Sequence, residues 1–120
     1  MRLVGLRGAI TCTEDSAAEI EAQTQRLIGE MLRRNEVADD DLVSVIVTST
    51  ADLTAAFPSA AVRALGFGDV PLLGALEVPV PGGLPRCIRV LVHCYSPRTR
   101  AEVRHVYLEG ARALRADLPE

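Results

Sequence analysis

Apolar positions follow two rhythms along this chain. Between Ser16 and Asn35, the residues Ile20, Thr24, Leu27, Ile28, Met31 and Leu32 recur every three or four positions, which predicts one long amphipathic helix with a single buried stripe. Ser16 and Glu19 supply the S-x-x-E pattern of a capping box at its start. Elsewhere the rhythm is two. Arg2–Cys12 reads as a strand in which Gly5 and Gly8 mark a bulge or the close approach of another backbone. Leu42–Thr50 is apolar at both parities and predicts a central strand covered on both faces. Pro58 opens a short helix that runs to Leu65 and stops at Gly66 or Gly68. Val70–Val80 reads as a third strand, Pro81–Gly83 as a tight turn and Arg86–Ser96 as a fourth strand, so these two are expected to pair as a hairpin. Beyond them, Val103, Tyr107 and Ala111 share a helical spacing, which predicts a short helix followed by a short edge strand.

This order predicts an α+β fold: a mixed sheet of about five strands on one long helix, with short helical segments, in a single domain spanning residues 1–120. One helix covers one sheet face only. In the fourth strand Ile88, Val90, Val92 and Cys94 fall on one side, while Cys87, Arg89, Leu91, His93 and Tyr95 fall on the other. The second face, with Arg7, Cys87, Arg89 and Leu91, must meet solvent or another subunit, and oligomerisation through the sheet is the economical expectation. An arginine buried there without a partner would cost several kcal/mol.

Composition narrows the function. A formal charge of −3 and only four aromatic residues offer neither the basic footprint nor the stacking platform of a nucleic-acid binder. Cys12, Cys87 and Cys94 are odd in number and have no C-x-x-C spacing, so buried, inert thiols are expected instead of a disulfide framework or a metal site. No apolar run is long enough to cross a membrane, and a cytoplasmic protein is expected. All 13 basic residues are arginine, a bias that base composition alone can produce, so arginine position matters more than arginine number.

The motifs of phosphate-binding loops, metalloproteases and serine hydrolases are missing from the sequence. His93 and His105 stand apart on different elements and read as packing residues. What remains is Arg7, Glu77 and Arg89 in three strand-like runs, with Arg63 and Tyr107 on neighbouring helical pieces. Two readings fit this set. It could form interface salt bridges, or it could line a pocket for a small polyanion, because guanidinium groups grip carboxylates in pairs of hydrogen bonds.

The strings GLRGAIT, DLTAAFPSAAVR, PLLGALEVPVPGGLPRCIRVLVH and RHVYLEGARALRADL resemble, in order and over nearly the whole chain, the monofunctional bacterial chorismate mutases of the trimeric mixed α/β class. The resemblance implies a homotrimer built as a pseudo-α/β barrel, with active sites between subunits, that isomerises chorismate to prephenate without cofactor or metal. It also implies that Arg7, Glu77, Arg89 and Tyr107 contact the substrate and that Phe57, Arg63, Leu73, Gly74 and Leu114 line the pocket. Gly74 stands where relatives can have cysteine and Ala60 where they can have lysine, so a side-chain contact at either position is lost or changed. The alternatives are a trimeric enamine or imine deaminase and a non-catalytic carboxylate-binding regulatory domain.

Overall fold

The helical stripe and the alternating strands meet in one core. The computed structural model describes residues 1–115; the end of the predicted domain, residues 116–120, lies outside the described residues, as does the end of the RHVYLEGARALRADL string. The elements are β1 (Arg2–Thr11), α1 (Ala17–Arg34), a 3-10 turn (Asp39–Asp41), β2 (Leu42–Ser49), α2 (Pro58–Arg63), β3 (Leu72–Leu76), β4 (Cys87–Ser96), β5 (Val106–Leu108) and a 3-10 helix (Glu109–Arg115). They form a mixed sheet in the order β3-β2-β4-β1-β5, antiparallel where β4 meets β1 and β2, and parallel at both edges.

In α1 the buried residues are Ile20, Thr24, Leu27, Ile28, Met31 and Leu32, the stripe expected from spacing. They pack on Val4, Leu6, Ile10, Val45, Val47, Ile88, Val90 and Val92 of the sheet. Ser16 caps the helix by accepting from the Glu19 amide at 3.2 Å, but the reciprocal half of the capping box is redirected: Glu19 accepts from the Thr13 amide and hydroxyl, both at 2.7 Å. These bonds hold the Glu19 carboxyl below its ordinary range, the Thr13 hydroxyl contributing most. At the other end Asn35, 2% exposed, donates to the Met31 and Arg104 carbonyls and accepts from the Arg104 amide. That clamp ties the helix end to the chain entering β5 and so sets where Tyr107 lies.

Gly8 serves the close approach expected of it, although the partner is side chain and not backbone. A β-carbon there would collide with Met31 Sδ and crowd Leu27 Cδ1 at 3.1 Å.

Four expectations need correction. β3 and β4 do not form a hairpin: β3 lies at the sheet edge beside β2, and β2 separates it from β4. The turn exists, with Gly83 donating to the Val80 carbonyl and Gly82 at φ 84, but it sits inside a longer crossing loop. α2 returns the chain across the sheet, so β3 must run parallel to β2, as crossover connections require. β2 is an interior strand, flanked by β3 and β4, but it is not covered on both faces: only Val45 and Val47 are buried in it. In the last segment the order is reversed: edge strand first, 3-10 helix second. Val106 and Leu108 are buried at a spacing of two, and Glu109, at φ 54, ends the strand. Tyr107 is therefore a strand residue on the face away from α1.

Candidate active site

Register decides what shares the open face. Thr48 pairs with Arg89, Arg89 with Ala9, and Ala9 with Tyr107, so these four form one row across β2, β4, β1 and β5. The next row contains Leu73, Ile46, Leu91 and Arg7. Ala9 is the small member, only 1% exposed, and Tyr107, Leu114 and Leu84 pack around its cluster with Cys87 and Ala111. The 3-10 helix after β5 thus folds over this end of the open face and brings Leu114 to the row.

Beside that cluster lies a cavity of about 450 Å³ whose lining includes Arg7, Ala9, Thr48, Glu77, Arg89, Tyr107, Leu114 and Arg115. Arg89 Nε lies 3.1 Å from Glu77 Oε1, with the two side chains 49% and 27% exposed. The Thr48 hydroxyl donates to the same Oε1 at 2.6 Å. Glu77 is placed by backbone pairing that outlasts β3, since its amide donates to the Ser49 carbonyl at 2.9 Å. The Arg7 amide donates to His105 Nδ1 at 2.9 Å, which puts the proton of a neutral His105 on Nε2. Burial, then the positive charges of Arg7 and Arg115, hold His105 below its usual value, so the imidazole stays neutral and keeps accepting that bond. His93 pairs with Ser44 Oγ at 3.0 Å, the hydrogen-bonded packing role expected for a lone histidine.

Of the expected site residues, Arg7, Glu77, Arg89, Tyr107 and Leu114 come together in this cavity. Phe57 and Gly74 do not. They line a separate crevice of about 660 Å³ between β3 and the segment leading into α2, where Gly74 faces Ser59 Oγ at 3.6 Å from its would-be β-carbon. Asp15 holds that segment by accepting from the Thr54 and Ala55 amides and the Thr54 hydroxyl. Leu73 is 62% exposed on the open face, Arg63 is exposed at the end of α2, and neither lines either cavity. Two polar lining residues carry no clear signal in the sequence. Thr48 reads as an ordinary β-branched strand residue, and only the parity it shares with Ile46 marks its face. Arg115 ends the run Ala111-Arg112-Ala113-Leu114-Arg115, which gives its arginines no positional signal. The three cysteines are buried free thiols, and burial pushes Cys12 up to about 11. Among the described residues no cluster of ligating side chains could hold a metal ion, and no helix is long and apolar enough to cross a membrane.

Comparison with known proteins gives one consistent result. Residues 3–118 match the family model described as chorismate mutase type I. The chain is 50% identical over 115 residues to chorismate mutase AroH of Thermus thermophilus, covering 95% of this chain and 94% of that protein. It is 39% identical over 119 residues to chorismate mutase AroH of Bacillus subtilis (strain 168), covering 98% and 94% respectively. A solved chorismate mutase from Clostridium thermocellum superimposes with a TM-score of 0.89 at 42% identity, covering 92% of this chain and 98% of that one.

Proposed function

The chain belongs to the type I chorismate mutase family and is an isomerase that converts chorismate to prephenate in aromatic biosynthesis; from that premise we propose that the reaction takes place in the cavity around Arg89. The deaminase and binding-module alternatives fall away with the family assignment. The observation that supports this placement is the Arg89–Glu77 ion pair on the open sheet face, beside Arg7 and Tyr107 in one cavity.

The rearrangement breaks an ether C–O bond of chorismate while a C–C bond forms in the same molecule. Six electrons shift around a ring of atoms, and no proton or group leaves. A base, a nucleophile and an electron carrier are not called for, and a preorganised charge is. As the ether bond lengthens, negative charge grows on its oxygen. Arg89 is the cation that meets it, held on a stiff strand so that little reorganisation accompanies the charge. Arg7 and Tyr107 grip a substrate carboxylate, and Glu77 accepts from the ring hydroxyl. Leu114 supplies an apolar wall.

The contact to the substrate's second carboxylate, through Arg63, and the other wall, through Phe57, Leu73 and the Gly74 backbone, come from a neighbouring protomer in a homotrimer. Two features support this reading: the open face exposes Leu3, Leu73 and Tyr95 by roughly half or more, and the two groups of expected residues stand apart within one chain. The three buried thiols suit a reducing compartment, the cytoplasm.

Loss of chorismate ultraviolet absorbance provides the test. Arg7→Ala raises KM strongly, because a carboxylate grip operates in both ground and transition states, whereas Arg89→Ala chiefly lowers kcat. Arg89→Ala with kcat within about threefold of the parent and a raised KM would reduce Arg89 to a carboxylate clamp. Sedimentation equilibrium returning a stable, active monomer would remove the shared-site assembly.

A further inference from the structure

Glu77 and Arg89 belong to parts of the chain that are not neighbours in the sheet. Glu77 follows β3, Arg89 lies on β4, and β2 runs between them. The ion pair therefore crosses β2, and it does so at Thr48, the register partner of Arg89. Thr48 Oγ1 donates to Glu77 Oε1 at 2.6 Å, and Arg89 Nε reaches that same oxygen at 3.1 Å. One carboxylate oxygen thus takes both the hydrogen bond from Thr48 and the nearest ion contact from Arg89. An ion contact that is not locked by a paired hydrogen bond leaves both side chains room to turn. A second donor fixed to the backbone of the strand beneath removes that freedom.

We infer that Thr48 is a positioning residue for the rearrangement: its hydroxyl holds Glu77 at the Nε edge of Arg89 and so fixes the aim of the guanidinium. This rests on the proposed placement of the reaction at Arg89. The hydroxyl does not touch the reacting atoms. Its effect passes through the Glu77 carboxylate to the aim of a charge that matters most once the ether bond has stretched, so its loss falls on kcat more than on KM.

The experiment is a steady-state series on Thr48→Val, Thr48→Ser, Glu77→Ala, Arg89→Ala and the Thr48→Val/Glu77→Ala pair, with circular dichroism, melting and assembly state recorded for each. Valine keeps the β-branched shape that suits a strand and removes only the donor. Thr48→Val is expected to lower kcat about tenfold with KM within about threefold, the scale of one lost hydrogen bond to a charged group. Thr48→Ser restores most of that loss. In the Glu77→Ala background, Thr48→Val changes kcat less than about twofold, because the group it positions is gone. Thr48→Val with kcat within about twofold of the parent overturns the inference, and so does a tenfold loss that persists unchanged without Glu77. If Glu77→Ala and Arg89→Ala lose activity while Thr48→Val does not, only the role of Thr48 fails. If both of those variants stay active, the placement of the reaction fails and Thr48 falls with it.

Discussion

The two faces of the sheet are built from the same strands and obey different rules. Along β4, Ile88, Val90, Val92 and Cys94 are at most 3% exposed against α1, and any apolar set of similar volume could take their places. One position away, Arg89, Leu91, His93 and Tyr95 are half-buried or exposed, and packing against α1 says nothing about their identity. What constrains this second set is partners: Glu77, itself held by the Thr48 hydroxyl, for Arg89, and Ser44 for His93. The covered face sets stability through volume, whereas the open face sets chemistry through the position of charge. A strand serves both because its side chains alternate, and because its backbone is stiffened by neighbours on either side.

The comparison breaks if open-face changes unfold the protein or covered-face changes alter the chemistry. The largest effect is expected at Arg89. Arg89→Ala should cost about 3–4 kcal/mol or more of transition-state stabilisation, two to three decades in kcat, with the melting temperature nearly unchanged because the side chain is half exposed; Arg89→Lys keeps the charge but not the planar fork and recovers only part of the rate. Steady-state kinetics beside thermal melts check both halves.

Next comes Ile88→Ala, one residue away on the other face. It should cost about 2–5 kcal/mol in denaturant unfolding, while kcat per folded active site stays close to the parent. A large kcat loss in fully folded Ile88→Ala protein would mean that the faces are not separable.

Gly8→Ala should be smaller, at about 1–3 kcal/mol in the same unfolding measurement, because the added methyl must displace Met31 from a core in which that side chain is 0% exposed. A wild-type stability would show that the thioether repacks freely.

The smallest effect is on pH. Catalysis through arginine and an ionised carboxylate predicts kcat nearly flat from about pH 6 to 9, and a limb near 7 after stability controls would bring His93 or His105 into the chemistry. Stability behaves differently. His105 is held below its ordinary 6.5, so between those two values the unfolded chain binds more protons than the folded one. Its contribution is fully present above 6.5 and is lost as pH falls through the lowered value. Melting temperature against pH should show a shallow decline there, and His105→Asn should flatten it.

Local interactions explain what could be read without coordinates. The cap at Ser16, the stripe of α1 and the alternation of β4 depend on residues within a few positions of each other, and these features stand as expected. Arg7, Glu77, Arg89 and Tyr107 were singled out by charge within apolar runs and by family resemblance, and the structure brings them into one cavity. Strand order was not legible, because a strand's hydrogen-bonding partner is chosen by the whole sheet. β3 pairs with β2 and not with β4, although the turn near Gly82 is present as expected. At Tyr107 a four-residue spacing that suits a helix competes with a two-residue one that suits a strand, and pairing with β1 favours the strand. Thr48 gives no signal in the sequence, since a threonine in a strand satisfies β-propensity and carries no charge. Sequence determined which residues alternate and which carry charge, because those are properties of neighbours along the chain. Only the tertiary structure decided that Thr48 lies beneath the Glu77–Arg89 pair, because register between strands far apart in sequence is set by long-range hydrogen bonding and burial together.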